Sequence, residues 1–194
     1  MKITEQQAKA IAEEIFGLYD RYGGEDYIGE PVSQVEHMSQ AAALAQNEGH
    51  DDEVVLASFF HDIGHLCVHD EERQMAGYGV KDHERVGADY LRERGFSERL
   101  IKLVKSHVAA KRYLTYKVAG YYDQLSEASK ATLAFQGGQM DEPEAALMEA
   151  DPDFSLILRF RYWDDQAKQN HIPVDNLDEL KEMAIMHLVS NQKN

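Results

Sequence analysis

Six side chains in this sequence stand out as candidate metal ligands by type and order: His37, the adjacent pair His61 and Asp62, His83, His107 and Asp164. Four imidazoles and two carboxylates exceed what one tetrahedral ion takes. They are about what two octahedral ions use if they share a carboxylate. Asp62 is the natural bridge, because each carboxylate oxygen can bind a different ion. Its position supports this: His61 and Asp62 close the apolar run Leu56-Ala57-Ser58-Phe59-Phe60, and burying such a pair without partners is costly unless a metal takes them up. His83 and His107 supply the imidazoles that make a second ion possible. Imidazole-rich sites with a carboxylate bridge suit iron, zinc or manganese, and ligand type alone does not separate these. His65 follows His61 by one turn; it reads as a donor supporting the site, a contact for an anionic substrate, or simple packing. His50, His69, His171 and His187 fall in polar or terminal stretches and are expected to stay outside the chemistry.

Positioning these groups falls to helices. A first helix is expected from about Thr4 to Tyr19, with Ile11, Ile15, Phe16 and Leu18 near one face. The glycine-rich stretch from Gly23 to Pro31 is a loop. Pro31 is expected to open the helix that carries His37 to about Asn47, since its missing N–H is tolerated in a first turn. An acidic start at Asp52 and an apolar interior predict a central helix running to His65. Further helices are expected at 81–93, 97–110, 126–135, 142–150, 153–164 and 178–190. With four prolines and no alternating strand pattern, the fold class is all-α: a single domain over residues 1–194, a helical bundle around a dinuclear metal site.

Composition narrows the function classes. The chain has 194 residues, with 20 basic against 35 acidic side chains and a net charge of −15. That balance disfavours nucleic acid, whose binding rests on basic phosphate contacts, and requires local positive charge for any anionic substrate. A lone cysteine, Cys67, permits no internal disulfide and fits a reducing, cytoplasmic setting. No run reaches the roughly 18 apolar residues that a membrane span needs, so no membrane association is expected.

The residues also resemble a known family. The His-Asp pair, with outer histidines and a late aspartate, is similar to the HD-domain superfamily. More specifically, the chain resembles the HD-domain mixed-valence diiron oxygenases that cleave the carbon–phosphorus bond of 1-hydroxy-2-aminoethylphosphonates. The matching segments are Asp26-Tyr27-Ile28-Gly29-Glu30, Gln34-Val35-Glu36-His37, Phe60-His61-Asp62-Ile63-Gly64-His65, Lys81-Asp82-His83-Glu84, His107 through Leu114, Leu125 through Ser129, Phe135-Gln136-Gly137-Gly138 and Trp163-Asp164-Asp165. They run in order from about residue 26 to 165. The string from Lys111 through Gly138 is far more specific than the His-Asp pair alone, which many phosphohydrolases share.

The resemblance implies two iron ions in the Fe(II)/Fe(III) state, one held by His37, His61, Asp62 and Asp164, the other by Asp62, His83 and His107. It implies phosphonate binding by Lys111, Ser129, Thr132 and Gln136 with help from His65. Ser129, Thr132 and Gln136 stand at i, i+3 and i+7, one helix face of uncharged donors. Tyr27 and Glu30 come from the loop before His37: Glu30 offers a negative charge to the substrate's ammonium group, and Tyr27 fills an open iron position until substrate arrives. A trimethylammonium substrate would favour aromatic faces, for which Tyr22, Tyr27, Tyr162 and Trp163 are available. Electron counting fits dioxygen as sole oxidant: R–CH(OH)–PO3H2 + O2 gives R–COOH + H3PO4. The implied partners are a small hydroxyphosphonate and O2, and the implied products are glycine or glycine betaine plus phosphate. The rivals are an HD-type metal-dependent phosphohydrolase, which has no need of the Tyr27, Glu30 and Ser129-to-Gln136 set, and a non-catalytic HD-like binding module, which would be expected to have lost ligands.

Overall fold

The computed structural model describes residues 3–27, 29–68, 75 and 77–191. Ile28 and His69, both singled out above, lie outside the described residues. Eleven helices and no β-sheet are present among the described residues; a single isolated bridge pairs Asp26 with Ser33. None of these helices is long and apolar enough to cross a membrane.

Capping chemistry fixes the boundaries. Helix α1 (Glu5–Tyr22) opens on a capping box between Thr4 and Gln7. Helix α2 (Gln34–Asn47) starts later than the expected Pro31. Ser33 takes the cap because its hydroxyl accepts the Glu36 N–H while the Glu36 carboxylate accepts the Ser33 N–H. Pro31 stays in the loop, which the Asp26–Ser33 bridge closes. Helix α3 (Asp52–Phe60) is capped by Asp51 and buried at every position from Val54 to Phe60. It does not reach His65 as expected. The chain instead tightens after Phe60 into i→i−3 bonds, Ile63 N–H to Phe60 O at 3.1 Å and His65 N–H to Asp62 O at 2.9 Å. It then resumes as the short α4 (Gly64–Cys67). His61 and Asp62 therefore sit in a turn between two helices.

Helix α5 (His83–Glu93) begins immediately after Asp82, which adopts φ 57°, a left-handed conformation that aspartate tolerates better than most residues. Helix α6 (Glu98–Lys117) continues past the expected Ala110 and so carries Lys111 as well as His107. Short α7 (Tyr121–Gln124) was not anticipated; α8 (Glu127–Phe135), α9 (Glu142–Glu149), α10 (Phe154–Gln166) and α11 (Leu177–Ser190) fall close to expectation.

Helix α3 is the axis of the bundle. It packs on α2, α6, α10 and α11, while α1 lies on α11 and α5 on α4 and α6. Its phenylalanines join an aromatic cluster in which the Tyr19 and Phe59 rings stack at 4.5 Å. Each large apolar side chain fully buried here contributes about 1.5–3 kcal/mol. A smaller apolar cluster, including Tyr113, Leu114 and Tyr121, seals the far end of α6. Two glycines let α4 and α5 touch backbone to backbone: a Cβ on Gly64 would lie 2.0 Å from the His83 carbonyl oxygen, and one on Gly87 would lie 3.1 Å from the Gly64 nitrogen. This close approach places His83 opposite the His61-Asp62 turn.

Candidate metal centre

The four buried histidines share one orientation rule. In each ring Nδ1 faces a backbone carbonyl: His37 to Ala167 O at 2.8 Å, His61 to Ser58 O at 2.8 Å, His83 to Val80 O at 3.2 Å and His107 to Val104 O at 2.7 Å. A carbonyl only accepts, so each Nδ1 carries the proton and each Nε2 presents a bare lone pair. Three of the four use the carbonyl three residues back on their own segment. The Nε2 atoms then meet in pairs, His37 with His61 at 3.0 Å and His83 with His107 at 2.9 Å. Two lone pairs facing each other at that distance repel unless a cation draws both. Burial also holds the His61 imidazole down, to about 4, which keeps it neutral and ready to ligate.

Asp62 lies between the pairs. Its Oδ1 is 3.2 Å from His83 Nε2 and 3.3 Å from His107 Nε2; its Oδ2 is 3.6 Å from His37 Nε2 and 3.5 Å from His61 Nε2. One oxygen for each histidine pair is the arrangement a bridging carboxylate requires. Asp164 completes the first group from α10, with Oδ1 3.5 Å from His37 Nε2. That oxygen is buried with no hydrogen-bond partner, whereas Oδ2 accepts from Arg161 Nη1 at 2.6 Å. The donor set thus forms two clusters, His37, His61 and Asp164, and Asp62, His83 and His107. Facing lone pairs and an orphaned carboxylate oxygen both fit a pair of metal ions, with the Nδ1–H bonds fixing the rings as ligand-supporting bonds commonly do.

A cavity opens over this centre and contains all the expected substrate residues: Tyr27, Glu30, His65, Lys111, Ser129, Thr132 and Gln136 line it. Lys111 is buried, and its Nζ donates to Thr132 Oγ1 at 3.0 Å. Burial, together with the nearby Arg161 guanidinium, depresses the ammonium to about 7. Gln136 is the C-cap of α8 rather than part of it, but its side chain still faces the cavity, with Oε1 unpartnered. His65 stacks on His83 at 4.1 Å, and its Nδ1 accepts the Val80 N–H at 2.9 Å. Its Nε2 therefore carries the proton. Burial, with His83 beside it, pulls the His65 imidazole down to about 3, so it is a neutral donor.

The Tyr27 ring stacks on His37 at 4.2 Å. Burial and the carboxylates of Asp62 and Asp164 push its phenol well above the usual tyrosine range. Glu30 is not free: its Oε1 accepts from Lys168 Nζ at 2.7 Å and also from the Ser126 hydroxyl.

Two aromatics do not reach the site. Trp163 is fully buried and meets the edge of His50 at 4.9 Å, and Tyr162 packs edge-on against Tyr121 at 6.3 Å. Both are packing residues, because α10 turns its Asp164 face to the metals and these neighbours away. Of the other histidines, His187 stacks on Phe96 at 5.4 Å. Sequence reasoning missed Arg161, Gln34 and Lys168. Arg161 had a legible signal, its i, i+3 spacing from Asp164; Gln34, whose buried Oε1 lacks a partner, opened a matching segment but was given no role; Lys168 had no signal.

A family model described as HD domain matches residues 34–151. Among similar proteins, an uncharacterised protein of Acanthamoeba polyphaga mimivirus is 40% identical over 93% of this chain and 83% of its own length. A glycine-betaine-forming dioxygenase of 1-hydroxy-2-(trimethylamino)ethylphosphonate from Leisingera caerulea is 40% identical over 82% of this chain and 81% of its own. A hydroxymethylphosphonate dioxygenase from Gimesia maris is 35% identical over 89% and 87%.

Proposed function

The chain belongs to the HD-domain family, and from that premise we propose that it is a non-haem diiron oxygenase of phosphonate catabolism. Its reaction is O2-dependent cleavage of the C–P bond of a 1-hydroxy-2-aminoethylphosphonate, with free or trimethylated amine, to glycine or glycine betaine and phosphate. The observation that carries this reading is the conjunction of Asp62, with one oxygen toward each pair of bare Nε2 atoms, and a cavity above it that includes a buried lysine and uncharged donors.

His37, His61, Asp62 and Asp164 would hold one ion and Asp62, His83 and His107 the other. Two irons in the Fe(II)/Fe(III) state supply Lewis acidity and the capacity to reduce dioxygen. The side chains bind and orient. Lys111, Thr132 and the Nε2–H of His65 are donors for the phosphonate oxygens, with Ser129 and Gln136 on the same side. Tyr27, stacked on His37 at the cavity edge of the centre, gives way when substrate enters, and Glu30 faces the substituent on the carbon next to the reacting one. Residues 1–194 are taken as one domain, since α1 and α11 pack on each other and α11 on the central α3.

The test is phosphate release from iron-loaded protein given 1-hydroxy-2-aminoethylphosphonate or its N-trimethyl analogue, with and without dioxygen. Oxygen-dependent release is expected. Oxygen-independent hydrolysis of a phosphate ester, with no release from any hydroxyphosphonate, would instead make the protein an HD phosphohydrolase.

A further inference from the structure

The subsite beside Glu30 already holds a cation. Lys168 Nζ lies 2.7 Å from Glu30 Oε1 and 5.8 Å from the centroid of the Tyr27 ring. Both members of the pair are largely shielded, with side chains 13% and 7% exposed. A carboxylate on one side and an aromatic face on the other are the partners that a substrate ammonium would seek.

Lys168 is also held in place. It follows α10 in a segment tied down on both sides: the Ala167 carbonyl accepts the Nδ1–H of the metal-site residue His37, and the Gln169 backbone exchanges two bonds with the Gln40 side chain, at 2.9 and 3.0 Å. On the opposite side, Ser126 donates to Glu30 and caps α8, the helix that carries Ser129 and Thr132. The Glu30–Lys168 pair therefore joins the Glu30 loop, the segment after α10 and the start of α8, and it meets the cavity through Glu30, which lines it.

We propose that Lys168 is the specificity-determining residue of this subsite, an internal cation that occupies the place of a substrate amine. The inference rests on the hydroxyphosphonate reading above and goes beyond it. A hydroxyphosphonate without an amine leaves the Glu30–Lys168 pair intact when it binds. An amine-bearing one brings a second cation to a single carboxylate in a shielded site, where an unmatched charge is costly. It must displace Lys168 or bind against its charge. Lys168 thus lowers the preference for a cationic substrate over hydroxymethylphosphonate below what Glu30 and Tyr27 alone would set.

The measurement is anaerobic titration calorimetry, which reads binding without turnover, on iron-loaded wild type, Lys168→Gln and Lys168→Arg. The two probes are hydroxymethylphosphonate and 1-hydroxy-2-(trimethylamino)ethylphosphonate. Lys168→Gln keeps a donor for Glu30 but removes the charge, and is expected to improve the trimethylamino compound's Kd relative to that of hydroxymethylphosphonate by about tenfold. Lys168→Arg keeps the charge and should leave the ratio within about twofold of wild type. A merely structural lysine would change both Kd values together.

An unchanged ratio in Lys168→Gln, or equal shifts for both compounds, overturns the proposal. Should that variant fail to fold, Lys168→Met is judged by the same ratio. Wild type that releases phosphate aerobically from either compound while Lys168→Gln leaves the ratio unchanged defeats the Lys168 proposal alone. Wild type that neither binds nor turns over either compound defeats the hydroxyphosphonate reading and the Lys168 proposal with it.

Discussion

Each histidine of the centre has two nitrogens, and the backbone has already claimed one of them. Because Nδ1 donates to a carbonyl in His37, His61, His83 and His107, the metal-binding tautomer is set before any ion arrives, and little reorganisation is left for binding. The two clusters meet at Asp62 and where the His61 and His107 rings pack edge-on at 5.2 Å, but no imidazole serves both, so damage to one should spare the ligands of the other. His83→Ala and His107→Ala each remove one imidazole from the second cluster and leave His37, His61 and Asp164 untouched. We expect each variant to retain close to one metal equivalent instead of two, and to lose at least about 100-fold in phosphate release. Metal analysis of the purified variants, beside an assay at saturating substrate, checks both parts. Two ions and full turnover in either variant would sink the dinuclear reading.

The elements deliver those residues through backbone contacts rather than through side-chain packing alone. Gly64 matters most, because its α-carbon faces the His83 carbonyl where a Cβ would stand 2.0 Å from the oxygen. Gly64→Ala must push α5 away from the His61-Asp62 turn, and a helix backbone yields less readily than a side-chain tip. A displacement of about 1 Å is enough to cost about 100-fold in a catalytic arrangement. The variant is expected to melt at a lower temperature and to lose the second metal equivalent before the first; metal content together with thermal unfolding reads both. An unchanged Tm with two ions bound would mean that α4 and α5 can separate freely. The clash explains what the sequence could and could not reveal here. The existence and type of nearly every helix were legible from apolar periodicity and caps, and the types and order of six His and Asp residues singled out the side chains that the fold gathers into two clusters. The break after Phe60 was not, since the run Val54 to Phe60 gives no stop signal before His61, and what ends the helix is the tertiary approach of α5. The start of α2 was misplaced because Pro31 competed with the better Ser33–Glu36 capping box. Lys168 was invisible because its partner Glu30 is 138 residues away, and no local pattern encodes that pairing.

At the scale of the whole molecule the charge opposes the proposed substrate. A net charge of −15 surrounds a cavity meant for a phosphonate anion, so the long-range field repels what the buried Lys111 and the metal ions attract. The two fields differ in how salt affects them. Exposed carboxylates act through solvent and are screened over a Debye length of about 8 Å at 0.15 M ionic strength, while buried charges are screened much less. Lys111 is 3% exposed and belongs to the second kind. Raising the concentration of a non-coordinating salt from about 10 to about 150 mM should therefore weaken the repulsion more than the attraction. kcat/KM for the anionic substrate is expected to rise by about two- to fivefold over that range, with kcat little changed, because only the approach and binding of the anion feel the outer field. Steady-state kinetics at fixed pH and metal loading give the sign directly. A fall in kcat/KM with added salt would mean that a positive potential extends beyond the cavity mouth, and that the acidic surface is arranged to leave the entrance clear of its field.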